Sequence, residues 1–138
     1  MRTRPRIHEF EISIDRAGTA LSGLGGAAIP PDDAWWAEHL VLAGLVRCTL
    51  TSLAYAARRA ALEVTAEGRA RGTVTKRAED GLYALVEIES SFDVDVSPPP
   101  EQAALVELLD WAERGCFVGN SLTARPSYRW TVNGEEIR

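Results

Sequence analysis

An α+β fold is predicted by three stretches of the chain. Residues 34–61 form a long helix-favouring run. Two period-two stretches, "LEVTAEGRARGTVTK" and "GLYALVEIESSFDVDV", are separated only by "RAEDG". "EQAALVELLDWAERG" then reads as a second helix, after a break at "SPPP". The alternation of apolar and polar residues implies half-buried strands, and the Ala- and Leu-rich runs imply helices.

In chain order, "IHEFEISI" alternates imperfectly and predicts a first strand. "DRAG" is a turn, and a short extended segment is expected around Thr19–Leu24. Pro30, Pro31 and Asp32 announce a helix, with Asp32 or Asp33 able to cap its free N–H groups. From Ala34 to Ala61 there is no proline and only one glycine, Gly44. The predicted helix is roughly 27 residues, about 40 Å long. It is apolar on every side between Leu40 and Val46, which places it centrally in the fold. The two long strands follow as an antiparallel pair. Pro100 suits the first turn of the second helix and Gly115 its C-terminal cap. "SLTARPSYRWTV" predicts a closing strand, and "NG" a turn. The expected order is β, β, long α, β, β, α, β, in one domain spanning 1–138 without repeats.

The 138 residues suffice for a substantial core, and 46% hydrophobic with 25% charged residues is ordinary for a globular chain. A net charge of -5 without a basic tract argues against nucleic acid or an anionic membrane as partner. No signal-peptide pattern opens the chain, and "HLVLAGLV" is too short to span a bilayer. A cytoplasmic address is therefore expected. In that reducing compartment the two cysteines read as catalytic, metal-bound or simply buried, rather than as a permanent structural bridge.

Cys48 lies within the long helix, and Cys116 follows Gly115 at the end of the second. Their separation fits neither a CxxC redox motif nor zinc-ligand spacing. A metal site of Cys48, Cys116 and His39 has thin support, because two histidines form no ligand cluster. Glu38 sits where a negative charge favours the helix start. It precedes Cys48 by ten residues, about 15 Å on a straight helix, so the two cannot touch within one chain. Two copies of the helix crossing antiparallel about Ala43 would set residue 38 of one opposite residue 48 of the other. Ala43 and Gly44 are small enough for such a crossing, which would build two composite sites in a homodimer. Arg16 reads as an exposed turn residue or as a cation over the thiol, held by Glu38. No Ser–His–acid arrangement suggests a hydrolase.

"AEHLVLAGLVRCTLTSLAYAARR" and "AERGCFVGNSL" together resemble the central-helix and C-terminal blocks of the OsmC/Ohr family. These are thiol-dependent organic hydroperoxide reductases and their osmotically inducible relatives. The resemblance implies an OsmC-like fold, antiparallel sheets around a long central helix in an intertwined homodimer. It implies Cys48 as peroxidatic cysteine, Cys116 as resolving cysteine, Glu38 as the catalytic glutamate and Arg16 as the arginine of the N-terminal turn. The implied reaction reduces an organic hydroperoxide to an alcohol. Cys48 passes through a sulfenic acid to a disulfide with Cys116, which an external, lipoyl-type dithiol reopens. No bound cofactor or metal is implied. Trp35, Trp36 and Phe117 are candidates for favouring an organic peroxide, although aromatic rings more commonly build cores. Ala37 and Phe117 stand where the family commonly has proline, and "GLGGAAIPP" is shorter than many equivalent loops. The alternative is an OsmC-like stress-associated or small-ligand-binding protein with little peroxidase turnover.

Overall fold

The computed structural model describes residues 3–138, which form two compact units meeting in sequence between Trp36 and Ala37. The first carries a small antiparallel pair, β1 (Ile12–Ile14) and β2 (Ala20–Ser22), with Ser13 opposite Leu21. The connecting turn is built by Asp15, whose Oδ1 accepts the N–H groups of Ala17 at 2.9 Å and Thr19 at 3.0 Å. Gly18 takes the left-handed conformation at φ +87° that a side chain would resist. The expected strand over residues 7–14 is realised only in its last three. Ile7 and Phe10 are 83% and 81% exposed, so the alternation there finds no buried face within this unit. The Asp32 carboxylate accepts the Ala34 N–H at 2.7 Å, and its carbonyl accepts that of Trp35. This turn occupies the residues expected to open the helix, which starts later, at Ala37.

The second unit begins with α1 (Ala37–Arg59). Leu45, Thr49, Leu53 and Ala57 are its fully buried positions. Their spacing of four marks a single packed stripe, because such residues lie one above another on a helix. Ala61 ends the run by adopting φ 58°, while the Leu62 N–H returns to the Ala57 carbonyl at 2.9 Å. The helix thus closes with a left-handed cap, although the residue is alanine. It is long enough to cross a bilayer, and an 18-residue window has mean hydropathy 1.6. Only 22% of that window is buried.

β3 (Glu63–Lys76) and β4 (Tyr83–Ser97) pair antiparallel from Glu63 opposite Ser97 to Lys76 opposite Tyr83. The register slips between Thr73 and Val74, whose partners are Glu87 and Leu85, and so leaves Val86 unmatched. β4 buries Ile88, Ser90, Phe92, Val94 and Val96 on one face, as period-two alternation requires. α2 (Gln102–Arg114) and the short α3 (Phe117–Ser121) carry the chain across before β5 (Ser127–Val132). Asn133 and Gly134, both at positive φ, turn the chain into β6 (Glu135–Glu136).

The sheet order is β3-β4-β5-β6. The pairings β1–β2, β3–β4 and β5–β6 are antiparallel as expected, while β5 runs parallel to β4, with Trp130 opposite Phe92. A parallel return needs a long crossover, and α2 with α3 supplies it. Trp130 is fully buried, with its ring centroid 4.7 Å from that of Phe92. Leu53, Ala57, Leu105, Leu108 and Leu109 complete the main cluster between helices and sheet. A smaller cluster gathers Leu45, Ile88 and Cys116. α1 sits close on β3 because Gly68 lacks a side chain. A Cβ there would lie 2.6 Å from the Phe92 ring and 3.1 Å from Val46.

Candidate functional site

The smaller cluster is where the two cysteines arrive. Cys48 comes from the middle of α1, one residue before the buried Thr49. Cys116 comes from the junction of α2 and α3, which is held tightly against α1. Gly115 caps α2 as expected, but at φ −84°, outside the left-handed region. Its glycine is required by proximity: a Cβ would collide with the Ser52 hydroxyl of α1 and lie 3.0 Å from the Trp111 carbonyl. Ser52 in turn donates to that same carbonyl at 3.3 Å.

Cys116 then takes extended backbone angles and serves as the N-cap of α3, its sulfur accepting the Gly119 N–H at 3.3 Å. Sulfur here fills the role usually given to a serine or threonine oxygen. Thr49 approaches from the other side, its Oγ1 3.2 Å from Cys116 Sγ and 2.9 Å from the Leu45 carbonyl. Cys116 is 0% exposed, and its own S–H faces the Leu45 carbonyl at 3.8 Å.

Cys48 packs against this cluster while remaining half-buried, and both cysteines are free thiols. Burial pushes the Cys48 thiol above its ordinary range. The backbone N–H of Val118 opposes that rise, the charge of Cys116 and a hydrogen bond to it reinforce it, and the N–H of Phe117 opposes it. Desolvation disfavours a thiolate and the N–H donors favour one; within this unit desolvation prevails. Surroundings that promote the thiolate were expected, and this unit alone does not supply them.

The Tyr128 hydroxyl from β5 completes the arrangement. Burial first, then the charge of Cys116 and a hydrogen bond to it, push the phenol above its ordinary range; a hydrogen bond with Thr49 acts the other way. Gly119 makes room for it, since a Cβ there would lie 2.5 Å from the Tyr128 oxygen and 3.3 Å from Cys116 Sγ.

Of the residues singled out from sequence, Cys48 and Cys116 are brought together. Glu38 is exposed in the first turn of α1, where its charge suits the helix start. It stays well along the helix from Cys48, as the spacing requires. Arg16 is exposed in the turn of the first unit. Trp35 and Trp36 are 54% and 68% exposed, and Phe117 is 57% exposed at the start of α3. Among the described residues, no three His, Cys, Asp or Glu side chains gather as metal ligands would.

Sequence reasoning missed Thr49, Gly119 and Tyr128. The one available signal was a hydroxyl directly after Cys48, four residues beyond Leu45 and four before Leu53 on the apolar stripe of the helix. Nothing in "RPSYRW" points to Tyr128.

The model of the family described as OsmC-like protein matches residues 30–131. Nothing among curated proteins matches. The fold is similar to that of an OsmC-like protein of unknown function from Vibrio cholerae, at TM-score 0.77 and 16% identity over 91% of this chain and 100% of that one. It is also similar to an OsmC-like protein from Mycoplasma pneumoniae, at TM-score 0.70 and 16% identity over 94% and 99%. A third likeness is to the organic hydroperoxide resistance protein OhrB of Bacillus subtilis, at TM-score 0.56 and 17% identity over 91% and 96%. Identities this low speak for the fold, whereas the family match covers most of the sequence, including both cysteines. The chain belongs to the OsmC-like protein family.

Proposed function

We propose that this protein is a thiol-dependent peroxidase that reduces organic hydroperoxides to alcohols. The observation that carries the reading is the meeting of two free sulfurs, one half-buried on α1 and the other fully buried at the start of α3. A partly open thiol beside a closed one suits a division of labour. Cys48 attacks the terminal peroxide oxygen as a thiolate, the O–O bond breaks, and the alcohol leaves. The sulfenic acid on Cys48 then condenses with the Cys116 thiol, releasing water and forming a disulfide. An external dithiol, of lipoyl type on the family resemblance, restores both thiols. The name of the Bacillus subtilis neighbour, an organic hydroperoxide resistance protein, is in keeping with this chemistry.

Because burial raises the Cys48 thiol, the reading needs a cation, the role that the family resemblance gives to Arg16. It also needs a second copy of the chain. Leu40, Val41 and Tyr55 of α1 are 46%, 36% and 50% exposed, and Gly44 has open space where a Cβ would stand. An apolar helix side of this kind is normally covered. A homodimer with its α1 helices crossing about Ala43 covers it and brings Glu38 of one copy opposite Cys48 of the other. A reducing cytoplasm suits the free thiols.

The test is peroxide consumption by the purified protein with excess dihydrolipoamide. Cumene hydroperoxide is expected to disappear faster than hydrogen peroxide, by about tenfold or more, given that apolar pockets discriminate by such factors. Absence of dithiol-dependent consumption overturns the reading.

The role of Arg16 has its own readout. A thiol reacts as its thiolate, so alkylation of Cys48 by iodoacetamide speeds up as pH rises through its ionisation. A nearby cation lowers that midpoint and opposes the effect of burial. Arg16→Gln is expected to move the midpoint upward and to reduce the thiolate fraction near pH 7. An unchanged midpoint removes Arg16 from the site.

A further inference from the structure

We propose that Thr49 and Tyr128 position Cys116 as the leaving group of the recycling step, so that an incoming dithiol attacks Cys48 and expels Cys116. This rests on the reading above that Cys48 and Cys116 form a disulfide.

The two sulfurs differ in access and in what surrounds them. Cys116 is 0% exposed, whereas Cys48 is only half-buried, so a reductant reaches Cys48 first. The surroundings of Cys116 are those of a sulfur that takes up negative charge. It has the Gly119 N–H at 3.3 Å and the Thr49 hydroxyl at 3.2 Å, and the Tyr128 oxygen lies close by against Gly119. Donors of this kind bind a thiolate more strongly than a thiol.

Thr49 has a single hydroxyl hydrogen and two acceptors within reach, Leu45 O and Cys116 Sγ. While Cys116 carries its proton, the thiol faces Leu45 O and Thr49 can also bond that carbonyl. Once Cys116 carries charge, the same hydrogen turns to the sulfur. Tyr128 reaches the same cluster, because the bare Gly119 lets its oxygen in beside Cys116 Sγ.

A thiolate of the dithiol bonds to Cys48 Sγ, the S–S bond breaks, and its electron pair stays on Cys116. The second thiol of the reductant then attacks its own sulfur bound to Cys48, closing the reductant's disulfide and freeing Cys48. The dithiol gives up two electrons, and its two protons end on the two cysteines. A better-stabilised leaving thiolate departs faster.

The test starts from protein oxidised with diamide, which needs no peroxidase activity. Brief exposure to 2-mercaptoethanol, then N-ethylmaleimide in denaturant, is expected to leave the mixed disulfide on Cys48 and the maleimide on Cys116, as read by peptide mass spectrometry. Thr49→Val and Tyr128→Phe are each expected to slow reduction by dithiothreitol about tenfold, the scale of losing one hydrogen bond to a charged group. Thr49→Ser should restore the wild-type rate. Tyr128→Phe keeps the ring, so it remains informative if Thr49→Val does not fold.

A mixed disulfide on Cys116, or an unchanged rate in the variants, overturns the proposal. Failure of diamide to join the two cysteines overturns it together with the disulfide on which it rests. A protein that forms and reopens the bond as described but consumes no peroxide contradicts the peroxidase reading and leaves this assignment standing.

Discussion

Replacing Cys48 with alanine is expected to abolish dithiol-dependent consumption of organic hydroperoxide, by at least about a thousandfold, the scale seen when a covalent nucleophile is removed. Cys48 is the more accessible of the two sulfurs at the site, and Cys116 is closed to solvent. No other side chain there can accept an oxygen from the peroxide and pass the oxidation on. The substitution removes one partly buried atom, so the fold should survive it, and an unchanged thermal midpoint would separate lost chemistry from lost structure. Cys116→Ser should behave differently: a first turnover remains, but the sulfenic acid on Cys48 then persists. Turnover of Cys48→Ala equal to wild type would remove Cys48 from the mechanism.

Trp130→Ala is expected to produce the largest loss of stability, about 3–5 kcal/mol. Trp130 is the largest of the fully buried side chains. It stacks on Phe92 and donates its indole N–H to Glu113 Oε2 at 2.8 Å. It therefore ties β5 to β4 and to α2 at one point. Domains of this size are stable by about 5–15 kcal/mol in total, so the variant sits near its folding threshold. The corresponding fall in thermal midpoint is roughly 10–17 °C, measurable by circular dichroism. A shift of only a degree or two would mean that β5 is not part of the cooperative core. The salt bridges of Arg138 to Asp110 and Glu113 do not substitute for it, since exposed pairs contribute about 1 kcal/mol or less.

The helices and long strands were legible in sequence because their signals are local. The period-two pattern of β4 returns as the buried series from Ile88 to Val96, and the helix-favouring run around Cys48 returns as α1. Their boundaries depended on single interactions that the pattern does not encode. The Asp32 turn delays α1, and Ala61 ends it from a left-handed conformation without a glycine. The parallel placement of β5 was not legible either, because it follows from the path of α2 and α3 rather than from any residue in the strand.

At the site the two cysteines were visible as chemistry-bearing residues in blocks of recognisable pattern. The donors around Cys116 were not. Thr49 in a helix normally bonds its own preceding turn, and only tertiary packing brings its hydroxyl to a sulfur 67 residues away. Gly115 was read correctly as a cap for a different reason from the one that operates, which is the closeness of Ser52. Gly119 is set in the same way by what must fit beside it.

The account depends most on the two sulfurs joining when one is oxidised. Treatment of the reduced protein with one equivalent of cumene hydroperoxide, followed by non-reducing peptide mass spectrometry, measures this directly. The expected product is a Cys48–Cys116 cross-linked peptide, two hydrogens lighter than its reduced parts. An unbridged Cys48 sulfenic acid that persists with Cys116 still a free thiol would contradict it.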